Sequence, residues 1–149
     1  MQNLLSLPFF AVLVIAAATS GAFFMPGAWY ESLSKPAWTP PNWAFPVAWT
    51  VLYIMIAFAG WLAWRARGFG PAIGIWGVGL LLNALWSYLM FGRHDIFAAL
   101  LEVALLWLSI AAFIWAVWPL DARAAYLFAP YLLWVSFAAA LNFAIGQMN

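Results

Sequence analysis

Few side chains in this sequence could do chemistry, and their types exclude more than they allow. The single histidine, His94, falls in a short polar stretch, so a paired axial haem site is ruled out, and nothing clusters with it as a metal site. The single lysine, Lys35, stands in a Pro-rich loop, so no apolar segment carries a lysine for a retinal Schiff base and a light-driven pump of that type is excluded. There is no cysteine, hence no disulfide framework, thiolate metal site or cysteine nucleophile. No Ser–His–acid arrangement or phosphate-binding glycine loop occurs in a suitable context. Glu102 is the one acidic residue well inside an apolar segment, about 10 Å along a helix from Asp95. Intramembrane carboxylates are costly and often functional, but Glu102 could also be protonated or reach headgroups.

What remains is aromatic chemistry with a few polar points. Phe45, Trp49 and Tyr53 fall at i, i+4 and i+8 on one helical face. Asn83, Trp86, Ser87, Met90 and Phe91 share a second face, and Tyr131, Trp134, Ala138, Leu141 and Asn142 a third. Such stripes serve ordinary packing or line a cavity. The Asn amides need partners in a medium without water, supplied by another helix or by a ligand. Small Ala138 beside Trp134 and Asn142 leaves room, and an aromatic cavity with few polar groups suits a flat, largely apolar molecule such as a conjugated macrocycle or a sterol. The stretch Trp29–Tyr53, WYESLSKPAWTPPNWAFPVAWTVLY, begins in a stiff loop rich in Pro and Trp. It reads either as an interfacial anchor or as a lid over a pocket between helices.

The elements that must position these residues are membrane helices. Of 149 residues, 69% are hydrophobic and 6% charged, against about 25% charged in soluble domains. The net charge of +1 and the lack of a basic patch give no basis for nucleic-acid binding. Charges and Pro/Gly clusters divide the chain into one all-α domain, 1–149, of five transmembrane helices at about 4–24, 44–64, 71–91, 95–118 and 124–146, with a lid loop at 25–43. The apolar run Leu4–Met25 spans roughly 33 Å as a helix and has no basic residue before it, so it reads as a retained first helix rather than a cleaved signal. Pro46 sits in a first helical turn, where its missing N–H costs little, and Pro130 predicts a kink in the last helix. Short links force antiparallel neighbours in one bundle, and no internal repeat is visible. Gly70, Gly74 and Gly77 form a small-residue stripe that serves tight packing within the monomer or a dimer seam. Arg65, Arg67 and Arg123 on one side against Lys35 and Arg93 on the other weakly favour a cytoplasmic N-terminus.

Three long motifs, WYESLSKPAWTPPNWAFPVAWTVLY, NALWSYLMFG at 83–92 and PYLLWVSFAAALN at 130–142, resemble the tryptophan-rich sensory protein (TspO) and mitochondrial translocator protein family, once called peripheral-type benzodiazepine receptors. The resemblance covers nearly the whole chain. It implies a five-helix bundle, usually a homodimer, with a pocket closed by the first loop. It implies that Tyr30, Trp38 and Pro41 belong to the lid and that Trp49, Tyr53, Asn83, Trp86, Phe91, Trp134, Ala138 and Asn142 line the pocket. It further implies protoporphyrin IX or a related tetrapyrrole as ligand, with no obligatory cofactor, and isoquinoline-type drugs as further ligands.

One departure matters. The cholesterol-recognition pattern of animal members needs a Tyr followed by Lys or Arg near the end of the last helix, and VSFAAALNFAIGQMN has neither, which points to weak sterol binding and to a bacterial member in the cell membrane. The resemblance leaves three functions open: a porphyrin-binding sensor, a transporter of porphyrin or sterol-like molecules, and a catalyst of light- and oxygen-dependent protoporphyrin breakdown. No conventional catalytic constellation accompanies the last.

Overall fold

The computed structural model describes residues 6–149, and all regular structure among them is helical. The elements are α1 (Leu7–Phe23), a short α2 (Ala28–Ser32), α3 (Ala44–Arg67), α4 (Pro71–Ser87) running into a π-helical turn (Tyr88–Gly92), α5 (Ile96–Val117) and α6 (Ala122–Met148). Four segments, α3, α4 with its π turn, α5 and α6, are long and apolar enough to cross a membrane, and α1 is a shorter apolar helix. The chain is an integral membrane protein. The expected start of the first helix at residue 4 lies outside the described residues.

The helices pack as a closed ring in which α1 touches α3 and α4, α4 touches α5, α5 touches α6, and α6 returns to α3. Phe10, Trp64, Trp76, Phe113, Phe128 and Tyr131 fill the centre of one end, and Phe113 and Phe128 lie 4.2 Å apart between ring centroids. A smaller cluster of Tyr30, Met90, Ala99, Leu141 and Ile145 closes the other end beneath the first loop. Helices α3 and α4 meet tightly at Gly60, where a Cβ would lie 2.5 Å from Cε2 of Trp76, whose Nε1 donates to the Ile56 carbonyl at 2.9 Å. Glycine there lets the indole lie against the α3 backbone.

Several boundaries differ from those read in the sequence, each for a local reason. Arg65 and Arg67, assigned to a loop, form the last turn of α3, where cations complement the C-terminal carbonyls. Gly68 then ends the helix at φ 73, a left-handed conformation that glycine adopts without penalty. Arg123 likewise stands inside α6, because the Asp121 carboxylate accepts its N–H at 3.0 Å and starts the helix earlier. The Arg123 side-chain hydrogen bonds hold the Asp121 carboxyl below its ordinary pKa. Helix α6 runs through Pro130 without a break in its helical span, the Tyr126 carbonyl simply lacking the N–H that proline cannot offer. The first loop, expected as a lid loop over 25–43, contains the short helix α2.

The glycine stripe divides. Gly70 sits against the Arg67 side chain, whereas a Cβ on Gly74 or Gly77 would meet nothing within 4 Å among the described residues. Tight packing among those residues therefore does not account for Gly74 and Gly77.

Candidate functional site

The π turn shapes the site. After Ser87 the backbone widens so that the Arg93 N–H reaches the Tyr88 carbonyl at 2.8 Å, five residues back. Phe91 lies in this turn with its ring edge-on to Trp86 at 5.5 Å and to Tyr30 at 5.5 Å. Asp95 then caps α5 by accepting the Ala98 N–H at 2.9 Å.

Between α1, α3, α4, α5 and α6 lies a cavity of about 370 Å³. Trp49, Tyr53, Asn83, Trp86, Phe91 and Ala138, which the sequence assigned to a pocket, all line it. Trp49 stacks on Tyr53 with centroids 5.4 Å apart and meets Trp134 edge-on at 6.4 Å. Trp134 itself stands behind this ring layer, against Trp49, Phe45 and Phe137, rather than on the cavity wall. Its buried Nε1 has no hydrogen-bond partner among the described residues.

Two amides organise the polar points. Asn83, 4% exposed, accepts from the Tyr53 hydroxyl at 2.9 Å and donates to the Tyr131 hydroxyl at 2.7 Å, tying α3, α4 and α6 together. Asn142, 2% exposed, accepts from Trp86 Nε1 at 3.1 Å and donates to the Ile96 carbonyl at 3.1 Å. Both amides thus meet the demand that burial away from water places on them. Asn142 and Tyr30 line a narrow side chamber that shares Phe45, Trp86, Phe91 and Ala138 with the main cavity. The Tyr30 hydroxyl there is buried with no hydrogen-bond partner among the described residues, and burial pushes its pKa up. Glu102 is 5% exposed, and neither carboxyl oxygen has a partner among the described residues.

The first loop is a held structure rather than a tether. Lys35 Nζ donates to the carbonyls of Tyr30, Leu33 and Glu31 at 2.7, 3.2 and 3.3 Å, capping α2, and lies over the Tyr30 ring at 4.7 Å. Trp29 stacks on His94 at 4.3 Å and 5°. Two of the residues assigned to the lid do not reach the cavity: Trp38 is 48% exposed with its ring edge-on to Phe137 at 5.6 Å, and Pro41 is exposed. Residues of α1, namely Ala18, Gly21 and Ala22, do line it and were not foreseen. The run AAATSGA at 16–22 was the available sign, since small side chains leave space.

The sequence profile of the TspO/MBR family matches residues 9–148. The chain is 41% identical to Protein CrtK of Rhodobacter capsulatus, over 97% of this chain and 95% of that protein. It is 41% identical to a tryptophan-rich sensory protein of Cereibacter sphaeroides, over 90% and 85% of the two chains. The translocator protein of Sus scrofa is 33% identical over 81% of this chain and 75% of its own.

Proposed function

The chain belongs to the TspO/MBR family of sensory and translocator membrane proteins, and we propose that it is a membrane receptor that binds porphyrins and similar flat apolar ligands and thereby regulates a tetrapyrrole or stress response. The observation that carries this reading is the cavity itself. Its walls are Trp, Tyr and Phe rings, its polar points are Tyr53, Asn83, Thr50 and Ser87, and no charged side chain lines it among the described residues. Such a site favours a conjugated ring by stacking and burial and gives no partner to a buried charge. Isoquinoline-type molecules share that chemistry, and sterols, lacking a π face, would bind weakly.

In this reading the protein crosses a bacterial cell membrane five times, α1 supplying the fifth span. It pairs as a homodimer through the open face carrying Gly74 and Gly77. The aromatic end packed around Phe10, Trp76, Phe113 and Phe128 supports binding over transport, because among the described residues those rings fill the centre of the bundle there. Occupancy would be reported by the first loop, whose Tyr30 lies in the side chamber. A ligand that contacts the loop shifts it only by the difference in affinity between its states.

The test is a titration of purified protein with protoporphyrin IX, followed by quenching of tryptophan fluorescence, with Ala138→Phe beside the wild type. Saturable quenching that Ala138→Phe weakens by about tenfold or more supports the reading. Quenching that does not saturate, or that ignores the substitution, means partition into the micelle and overturns it.

A further inference from the structure

The first residues of the loop, Met25 and Pro26, border the cavity, and the hydrogen-bond and ring contacts that hold the rest of it lie at His94, the π turn and α6. Trp29 is stacked on His94, between α4 and α5. Ser34 exchanges two backbone hydrogen bonds with the Asn149 side chain just past α6, accepting at 2.8 Å and donating at 3.1 Å. Trp38 rests on Phe137 of α6, and Tyr30 on Phe91 of the π turn.

The contacts of α1 leave a gap towards α3. At its N-terminal end Phe10 touches both neighbours, with Trp64 of α3 at 6.4 Å and Trp76 of α4 at 5.2 Å. At its C-terminal end the hydrogen-bond and ring contacts go to α4 and its π turn. Ser20 Oγ donates to the Ala84 carbonyl at 2.6 Å, a Cβ on Gly21 would lie 3.8 Å from Ser87 Oγ, and Phe24 meets the Tyr88 ring at 5.3 Å. There the cavity reaches the flank of the bundle, between Ala18, Gly21 and Ala22 of α1 and Pro46 and Thr50 of α3. Ala22, Pro46 and Thr50 are exposed, while Asn83 at the cavity's depth is buried. The Thr50 hydroxyl donates to the Pro46 carbonyl at 2.7 Å, so this side chain at the rim is satisfied within its own helix.

We infer that the seam between α1 and α3 is the route by which ligand passes between the lipid and the cavity, the first loop remaining latched to α6 and His94 meanwhile. The inference rests on the ligand-binding reading above. Small side chains on α1 admit a flat molecule edge-on, and a satisfied, apolar rim lets it leave the hydrocarbon without crossing water. The rate of exchange is then set at the seam, and the equilibrium is set by the rings within.

The experiment uses protein reconstituted in vesicles, protoporphyrin IX supplied from donor vesicles, and stopped-flow quenching in both directions. Ala22→Trp and Thr50→Trp narrow the seam at exposed positions, and His94→Ala and Asn149→Ala loosen the loop. Either seam variant is expected to slow dissociation as well as association by about tenfold or more, which a mere loss of fit in the cavity would not do, and the loop variants to leave both rates within about twofold. Because the chain has no cysteine, Ala22→Cys, folded first and then modified with a benzyl thiosulfonate, gives the same blockade should the tryptophan variants misfold. Wild-type rates in the blocked protein, or acceleration confined to the loop variants, would overturn the seam. Absence of saturable binding in the wild type would instead remove the proposed ligand class, and the seam with it.

Discussion

Replacing Asn83 by alanine removes a side chain that joins α3, α4 and α6 through hydrogen bonds. Two are lost, from Tyr53 at 2.9 Å and to Tyr131 at 2.7 Å. A hydrogen bond of this kind contributes about 1 kcal/mol net in water-soluble proteins and about 0.6 kcal/mol on average between membrane helices, so the pair accounts for roughly 1–2 kcal/mol. The two tyrosines are not stranded equally. Tyr53 borders the cavity, where its hydroxyl can turn to a ligand or to water. Tyr131 is 2% exposed, and its oxygen has no such recourse, which adds about 1–2 kcal/mol for the unmet group. The expected destabilisation is about 2–4 kcal/mol. Adding Tyr131→Phe to Asn83→Ala removes the stranded group, so the double variant should be about 1 kcal/mol more stable than additivity predicts. Reversible unfolding in mixed detergent micelles, followed by tryptophan fluorescence, measures all four corners of the cycle. A loss below about 0.5 kcal/mol for Asn83→Ala, or strict additivity, would refute the assignment of this network as the tie between the three helices.

Gly60→Ala should cost about 2–4 kcal/mol, because its methyl displaces the Trp76 indole from α3 and breaks the bond to the Ile56 carbonyl, and Trp76→Leu in the same chain should recover part of this in the same unfolding assay. Gly74→Leu and Gly77→Leu should leave monomer stability within about 0.5 kcal/mol, since each side chain enters open space, and should abolish the proposed dimer. Light scattering that finds dimer retained would move the interface elsewhere. Asp95→Ala should cost about 1 kcal/mol by freeing the Ala98 N–H, and Asp95→Asn should restore most of it; equal losses in both would show that the hydrogen-bonded cap is not what matters.

The elements most legible in the sequence were those whose signal is local. Apolar length and the Pro/Gly clusters located α3, α4, α5 and α6 to within a few residues. Helical spacing brought Trp49 and Tyr53 onto one face, with Asn83 and Trp86 on another and Ala138 on a third, and all five line the cavity. The ends of helices were less legible because caps and breakers compete there. Asp121 drew Arg123 into α6, and Gly68 allowed α3 to keep both arginines. The contribution of α1 to the cavity was hidden because its value lies in absent side chains, and a run of Ala and Gly gives no periodic mark. The π turn was equally hidden, since one widened turn leaves the apolar pattern of α4 unchanged while re-aiming Phe91. Trp38 and Pro41 were placed at the site through family resemblance alone, and tertiary contacts hold Trp38 on Phe137 instead.

A structure determined with protoporphyrin IX in a lipid bilayer tests the ligand assignment most directly. The macrocycle is expected between Trp49, Tyr53, Asn83, Trp86 and Ala138, with the Tyr30 hydroxyl donating to an acceptor at its edge. Density for the ring on the outer surface instead, for example against exposed Trp115 and Trp118 on the lipid-facing side of α5 and its end, with the cavity left empty, would contradict the account.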